Sequence, residues 1–259
     1  MMPRAGFSVV AMCYDASAAP PVYGAPLTTI STSVLSLTSV DGASISAFAA
    51  APAVRSGVSV LVLPDNRGLS HFYEEFCARL AEQGHHALAI DYFSRTAGPD
   101  YRSRDLHRMA DAMVHLGHLR QPTLHGDFAA GIAHLPGPVA SVGFCLGGRF
   151  AFLTAAAHFG LVGAVGLYGY PDMIGPSVGP LQVASTLTAP ILALWGGADD
   201  AMPPAVVAAF DEALTAAGNE HEFVTYPGAP HGFFEESLPS YAPAQADAWK
   251  RILDFLRRR

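Results

Sequence analysis

The sequence predicts a single α/β domain built on a mostly parallel β-sheet. Its apolar runs are continuous rather than alternating, and they recur in turn with stretches of helix formers. Continuous apolar runs are typical of strands buried on both faces of a parallel sheet, with helices as the crossover connections. No internal repeat or break in composition divides the chain, so we assign residues 31–259 to one domain and residues 1–30 to an N-terminal arm.

The first elements differ from those that follow. Residues 15–30 are rich in Pro, Ala and Thr, a composition that predicts an extended arm over the surface rather than a packed element. The apolar stretches 34–37 and 45–48 flank Asp41-Gly42, a pair of residues that favours a tight β-hairpin turn. The sheet is therefore expected to begin with an antiparallel hairpin.

The remaining elements alternate strand and helix. Strands are predicted at 58–63, 87–90, 139–143, 162–168, 191–195 and 222–226, and helices at 72–83, 101–118, 149–158, 205–217 and 243–257. In sheets of this kind the functional groups gather beyond the carboxyl ends of the strands. The turns that follow the predicted strands are therefore the places to search for a site.

Composition excludes several classes of function. The chain has 22 acidic and 15 basic residues, a net charge of -7, which argues against a nucleic-acid partner. No apolar run approaches the ~20 residues that a membrane span requires. The three cysteines lack the spacing of a disulfide framework, so we expect a reducing, cytoplasmic location, and Cys13 and Cys77 to serve in packing. A signal peptide is disfavoured because the N-terminal run is weakly apolar and ends at Asp15.

The stretch Gly143-Phe144-Cys145-Leu146-Gly147 stands where a predicted strand meets a predicted helix. It fits the nucleophile-elbow pattern G-x-S-x-G with cysteine in place of serine. Glycines are needed on both sides because strand and helix approach closely at such a turn. The start of the helix and a nearby histidine would lower the pKa of the Cys145 thiol, which must ionise to attack.

An acid and a histidine follow in the order nucleophile, acid, histidine. Asp199 comes after the strand at 191–195, with Asp200 and Asp172 as alternatives, and His231 comes after the last strand. His231 would move protons and Asp199 would hold its tautomer. The backbone N–H groups of Leu146 and Asn66 would form the oxyanion hole.

A metal site is the competing use of histidine. His107, Asp111 and His115 lie four residues apart along one stripe of a predicted helix, within reach of a common ion. The apolar residues of the same segment would form the buried face and leave this stripe in solvent, so no metal is predicted. These apolar residues are Leu106, Met109, Met113 and Leu116.

The sequence resembles the dienelactone hydrolases, a family of the α/β-hydrolase fold. The resemblance spans roughly residues 27–258 and rests on the segments 143–148 (GFCLGG), 195–199 (WGGAD) and 231–233 (HGF), followed by Tyr241 and 248–251 (AWKR). It implies a three-layer α/β sandwich without a cofactor. It also implies hydrolysis of a small ester or lactone through a Cys145, His231, Asp199 triad and a thioester intermediate.

Two positions depart from the family pattern. Asp65 occupies the place of a glutamate that contacts the resting thiol, and Glu235 replaces the second of two arginines that bind a substrate carboxylate. Arg95 matches the first arginine, and Tyr168 and Tyr170 are candidate walls of the substrate pocket. The expected partner is a small molecule, and the chain is expected to be a monomer or a homodimer. A broader carboxylesterase or thioesterase, or a non-catalytic ligand-binding relative, remain alternatives.

Overall fold

The computed structural model describes residues 14, 17–104, 106 and 109–259 of the protein. The described residues form one sheet of eight strands, which are β1 (Ile30–Thr38), β2 (Ser44–Pro52), β3 (Ser59–Leu63), β4 (Ala87–Ile90), β5 (Val139–Phe144), β6 (Gly163–Leu167), β7 (Ile191–Gly196) and β8 (His221–Tyr226). Seven α-helices flank it, namely α1 (His71–Glu82), α2 (Ser94–Ala97), α3 (Met109–Leu116), α4 (Gln121–His134), α5 (Leu146–Thr154), α6 (Pro204–Ala217) and α7 (Ala242–Arg257). Short 3-10 helices cover Tyr101–Ser103, Ala157–Phe159, Pro180–Thr186 and Pro239–Tyr241.

The strand order is β1-β2-β4-β3-β5-β6-β7-β8. β2 pairs antiparallel with both β1 and β4, and every other neighbouring pair is parallel. The predicted fold, a mostly parallel sheet with an antiparallel N-terminal hairpin, is confirmed. The hairpin turns where predicted, with the N–H of Ala43 donating to the Asp41 carboxylate and Gly42 at φ +84°.

The central strands explain why the continuous apolar runs were informative. Every residue of β3, β5, β6 and β7 is buried, because helices cover both faces of the sheet there. β8 lies at the edge and is only partly buried. The turns after β3, β5, β6, β7 and β8 consequently open at one end of a rigid, buried platform.

The N-terminal arm is anchored to the domain near its start. Tyr14 is only 5% exposed and its ring stacks on Phe72 with the centroids 3.8 Å apart, while Ala18 is also buried. Farther along, Val22 is 55% and Leu27 68% exposed, and residues 19–29 form no helix or strand. The composition of residues 15–30 gave no sign of the anchor because it is a single aromatic side chain just before that stretch.

The segment between β4 and β5 also differs. The helix predicted over 101–118 is a 3-10 turn at Tyr101–Ser103 and then α3, and the following helix α4 was not predicted. Of the proposed metal stripe, His107 lies outside the described residues, and His115 hydrogen-bonds Thr96. The described part of the chain contains no cluster of three metal-binding side chains. Within it, no helix combines the length and apolar character needed to cross a membrane.

Candidate active site

Cys145 occupies a sharp turn between the end of β5 and the start of α5. Its backbone has φ +53° and ψ -114°, a conformation that costs energy for any residue other than glycine. The turn is held by the Cys145 N–H, which donates to the Leu167 carbonyl at 3.0 Å. A Cβ on Gly147 would lie 1.9 Å from the Leu63 carbonyl oxygen, so only glycine allows α5 to approach β3 this closely. The sequence pattern and the strained backbone therefore coincide at Cys145.

His231 and Asp199 form a buried hydrogen-bonded pair beyond β8 and β7. The His231 Nδ1–H donates to Asp199 Oδ2 at 2.7 Å, and Asp199 Oδ1 accepts the N–H of Ala201 at 2.9 Å. Two hydrogen bonds thus fix the carboxylate, and the carboxylate fixes the imidazole ring. Of the two alternative acids, Asp200 is exposed and Asp172 receives hydrogen bonds from the Gln182 side chain and the Met173 N–H.

The second ring nitrogen of His231, Nε2, is the one available to Cys145. Nε2 is buried, and the imidazole interacts electrostatically with the Cys145 side chain. Burial alone would lower the pKa of His231, but the negative charge of a Cys145 thiolate and the hydrogen bond to Asp199 outweigh it and raise that pKa to about 10. The arrangement therefore favours a thiolate and imidazolium pair at neutral pH.

Asp65 lies close to the same thiol. Its carboxylate accepts the N–H of Arg67 at 2.9 Å and the N–H of Tyr14 at 3.2 Å. Burial is the largest cause and the charge of Cys145 the next, and together they raise the pKa of Asp65 to about 7, although the two hydrogen bonds lower it. At the position where the resemblance implies a glutamate, the shorter side chain is still near enough to interact electrostatically with the thiol.

The predicted oxyanion groups lie beside Cys145. Leu146 is the first residue of α5, where a backbone N–H has no partner within the helix, and Asn66 lies on the turn after β3. Both residues line the same cavity as Cys145 and His231. The positive end of the α5 dipole also points at this region, which suits a thiolate and a developing oxyanion.

Tyr168 and Tyr170 both line this cavity. Tyr168 has φ +41°, and its ring centroid lies 4.9 Å from that of His231. Its hydroxyl contacts the hydroxyl of Tyr14, which also donates to the Phe234 carbonyl at 3.0 Å. Tyr14 thus connects Tyr168 with Asp65, a link that sequence reasoning missed because the tyrosine lies in the arm.

The structure does not bring Arg95 to the cavity. Its guanidinium forms a two-pronged hydrogen bond with the buried Asp127, at 2.6 and 3.0 Å, and a second with Asp41, at 2.7 and 3.0 Å. These carboxylates raise the pKa of Arg95 and occupy the face that a substrate carboxylate would need. The predicted role in substrate binding is therefore corrected. Asp127 lies on α4, the helix that sequence reasoning missed.

Glu235 also lies outside the lining of the cavity, although its charge contributes to raising the pKa of Tyr168. The prediction that it contacts substrate is not supported by this position. Its N–H donates to the Phe233 carbonyl at 3.0 Å in a tight turn just after His231. Its side chain accepts a hydrogen bond from the Ser237 hydroxyl at 2.5 Å.

The cavity next to Cys145 has a volume of about 780 Å³. It extends from the thiol toward the connection between α3 and α4 on one side and residues 173–177 on the other. Arg149, directly after the glycines of the elbow, is buried and donates to the carbonyls of Tyr170, Asp172, Ser177 and Val178. Arg149 thus fixes the wall of the cavity, a role for which the sequence carries no signal beyond its place after the elbow.

A strained turn between a buried strand and a helix, with an acid and a histidine on later turns of the same sheet, defines an α/β-hydrolase. The chain belongs to the dienelactone hydrolase family, whose model matches residues 45–259. Membership of this family makes the protein a hydrolase that acts on ester or lactone bonds.

Individual relatives agree with this assignment. A Methylorubrum extorquens protein provisionally named carboxymethylenebutenolidase is 33% identical over 213 residues, which are 77% of this chain and 71% of the relative. The carboxymethylenebutenolidase of Rhodococcus opacus is 32% identical over 214 residues, or 78% of this chain and 82% of the relative. The crystal structure of a provisionally named dienelactone hydrolase from Klebsiella pneumoniae superposes with a TM-score of 0.76 at 26% identity, covering 89% of this chain and all of that one.

Proposed function

We propose that this protein hydrolyses small esters or lactones with Cys145 as nucleophile, His231 as proton carrier and Asp199 as the residue that orients His231. The observation that carries the proposal is the connected set of contacts from Asp199 through His231 to Cys145 at the strained turn. A non-catalytic ligand-binding relative has no need of a buried acid, histidine and cysteine in this order.

The proposed reaction has two steps that share one geometry. The thiolate attacks the ester carbonyl, the backbone N–H groups of Leu146 and Asn66 stabilise the oxyanion, and the C–O bond breaks to leave a thioester. The leaving alkoxide takes the proton of the His231 imidazolium. Neutral His231 then removes a proton from water, and the hydroxide attacks the thioester. The free acid is released, and the thiolate and the imidazolium are regenerated.

The raised pKa of His231 supports this assignment of roles. An imidazolium that persists at neutral pH is available to protonate the leaving group, and it keeps Cys145 ionised before attack. The hydrogen bond to Asp199 holds the proton-bearing nitrogen of His231 and leaves Nε2 for the reaction. No cofactor takes part in either step of this proposal.

The proposal is tested by the hydrolysis of p-nitrophenyl acetate by wild type, Cys145→Ala, Cys145→Ser and Cys77→Ala. Cys77 is the matched control because it is a free, buried cysteine that lies on α1 and does not line the cavity. We expect both Cys145 variants to fold and to lose kcat on the order of 10³-fold or more, and C77A to keep wild-type turnover. Full activity of C145A would remove Cys145 from the nucleophile role.

A further inference from the structure

The walls of the cavity beside Cys145 are mostly apolar. They are formed by side chains from the α3–α4 segment and from α5, which are Leu116, Leu119, Leu124, Phe128, Phe150 and Leu153. Pockets of several hundred Å³ with such a lining bind ligands by burying apolar surface, and a few polar groups set the orientation. At about 780 Å³ the cavity is larger than a two-carbon acyl group or a small unsubstituted lactone requires.

The arginines in and near this region have other partners. Arg149 is 2% exposed and gives its terminal nitrogens to four backbone carbonyls. Arg95 is held by Asp127 and Asp41, outside the cavity. Arg120 is exposed at the edge of the cavity, where one terminal nitrogen donates to the carbonyls of Gly117 and Leu119. Of the two arginines that line the described cavity, Arg149 and Arg120, neither is thus both buried and available to pair with a carboxylate of the substrate.

The charges around Cys145 also argue against a substrate that carries a carboxylate. Asp65 and Glu235 both act on the Tyr168 hydroxyl, and Asp65 interacts with the thiolate itself. A carboxylate on the substrate would add negative charge to a buried region that already holds a thiolate and nearby acids. Burying a charge without a partner is costly, so the site disfavours an anionic substrate.

We propose that the substrate is an uncharged ester or lactone with a medium-sized apolar body, seated in the cavity between the α3–α4 segment, α5 and residues 173–177. This inference rests on the proposed function, because it places the reacting carbonyl at Cys145. It names a substrate class different from the carboxylate-bearing lactones that the resemblance implies.

The test compares p-nitrophenyl acetate, butyrate and hexanoate with p-nitrophenyl hydrogen adipate, which has the acyl length of the hexanoate but ends in a carboxylate. We expect kcat/KM to rise about fourfold for each added methylene, and therefore about 250-fold over the four methylenes from acetate to hexanoate. The hydrogen adipate ester should fall at least about tenfold below the hexanoate. Cys145→Ala is measured on all four esters.

Variants locate the effect in the cavity. Leu116 lines it at the end of α3, so L116W is expected to lower the ratio of hexanoate to acetate kcat/KM by about tenfold. Met113 lies on the same helix, is 49% exposed and does not line the cavity, so M113W should keep the wild-type ratio. Ile174 is a second lining position, and at 49% exposed it tolerates substitution. I174W is therefore also expected to lower the ratio, and it replaces L116W in the test if that variant does not fold.

The outcomes separate the inference from the proposed function. The substrate class is overturned by equal or greater kcat/KM for acetate than for hexanoate, or by a preference for the hydrogen adipate ester, while C145A is inactive. A preference for the anionic ester that disappears in R95A or R120A would assign carboxylate binding to that arginine. Activity of C145A toward all four esters would instead overturn the proposed function.

Discussion

The Cys145 thiol shares its buried surroundings with two ionisable groups whose effects oppose each other. The His231 imidazolium stabilises the thiolate, and the Asp65 carboxylate destabilises it. The pKa of Asp65, about 7, means that this carboxylate is only partly ionised at neutral pH. The charge on Asp65 therefore adjusts how readily the thiol ionises over the pH range in which the enzyme would work.

Replacing Asp65 by asparagine should make the protein more stable relative to wild type as the pH rises. In the unfolded chain the Asp65 carboxyl loses its proton near pH 3.8, whereas in the folded chain it keeps the proton until about pH 7. Between these values the folded state binds more protons than the unfolded state, so raising the pH destabilises wild type at this site. D65N lacks this dependence. We expect the Tm of D65N minus the Tm of wild type to increase from about pH 5 to about pH 8.

A matched control and a second readout accompany this melting experiment. D200N changes an exposed carboxylate beside Asp199, and its Tm should follow wild type at both pH values. Loss of the Asp65 charge should also shift the onset of Cys145 alkylation by iodoacetamide to lower pH, because the thiolate forms more readily. A Tm difference independent of pH would contradict the raised pKa of Asp65, and an unchanged pH profile of alkylation would contradict its effect on the thiol.

At the scale of secondary-structure elements, the site depends on how closely α5 approaches the sheet. Gly147 lies where α5 passes the end of β3, and an added Cβ would lie 1.9 Å from the Leu63 carbonyl and 2.3 Å from that of Pro64. Both obstacles are backbone atoms of a buried segment, so relief would require α5 to move. The strained conformation of Cys145, one residue before α5, would move with it.

Gly147→Ala is therefore expected to lower the free energy of unfolding by about 1–3 kcal/mol and to abolish most ester hydrolysis. Gly117→Ala is the control for stability, because its added Cβ would make only ordinary contacts of 3.6 Å with the Met113 and Val114 carbonyls. Urea denaturation and p-nitrophenyl acetate hydrolysis measure the two effects. Wild-type stability and activity of G147A would contradict the close approach of α5 to β3.

Prediction from the sequence found the strands of the sheet but missed helix α4. The strands were predicted because they are buried on both faces, which requires continuous apolar runs. Helix α4 was missed because Gly126 and Gly131 interrupt its pattern, yet an added Cβ at Gly131 would lie 2.8 Å from Leu61 and at Gly126 3.0 Å from Ser39. Close packing against the sheet and hairpin, rather than helix propensity, selects those glycines.

Arg95, which the resemblance implies as a substrate ligand, is instead paired with a residue of the helix that was not predicted. Asp127 lies on α4 and is 32 positions from Arg95 in sequence, so the ion pair between them was invisible without the helix. Tyr14 was missed for a related reason, because its partners Phe72 and Tyr168 are distant in sequence and an irregular arm has no periodicity to reveal a buried position.

At the scale of the whole molecule, one sheet gathers the proposed site. Cys145, Asp199 and His231 lie up to 86 positions apart in sequence and come from three separate turns, after β5, β7 and β8. Their grouping was predictable because parallel strands place their carboxyl ends at the same edge. The size and apolar character of the cavity were not, because they depend on how the α3–α4 segment and residues 173–177 fold over that edge.

The central claim is that the reaction passes through a thioester on Cys145, and trapping that thioester tests it most directly. Wild type and C145A are mixed with p-nitrophenyl hexanoate, quenched in acid within the first turnover, digested and mapped by mass spectrometry. We expect a hexanoyl group on the peptide that contains Cys145 in wild type and no acylated peptide in C145A. An acyl group on another residue, or continued turnover by C145A, would contradict the account.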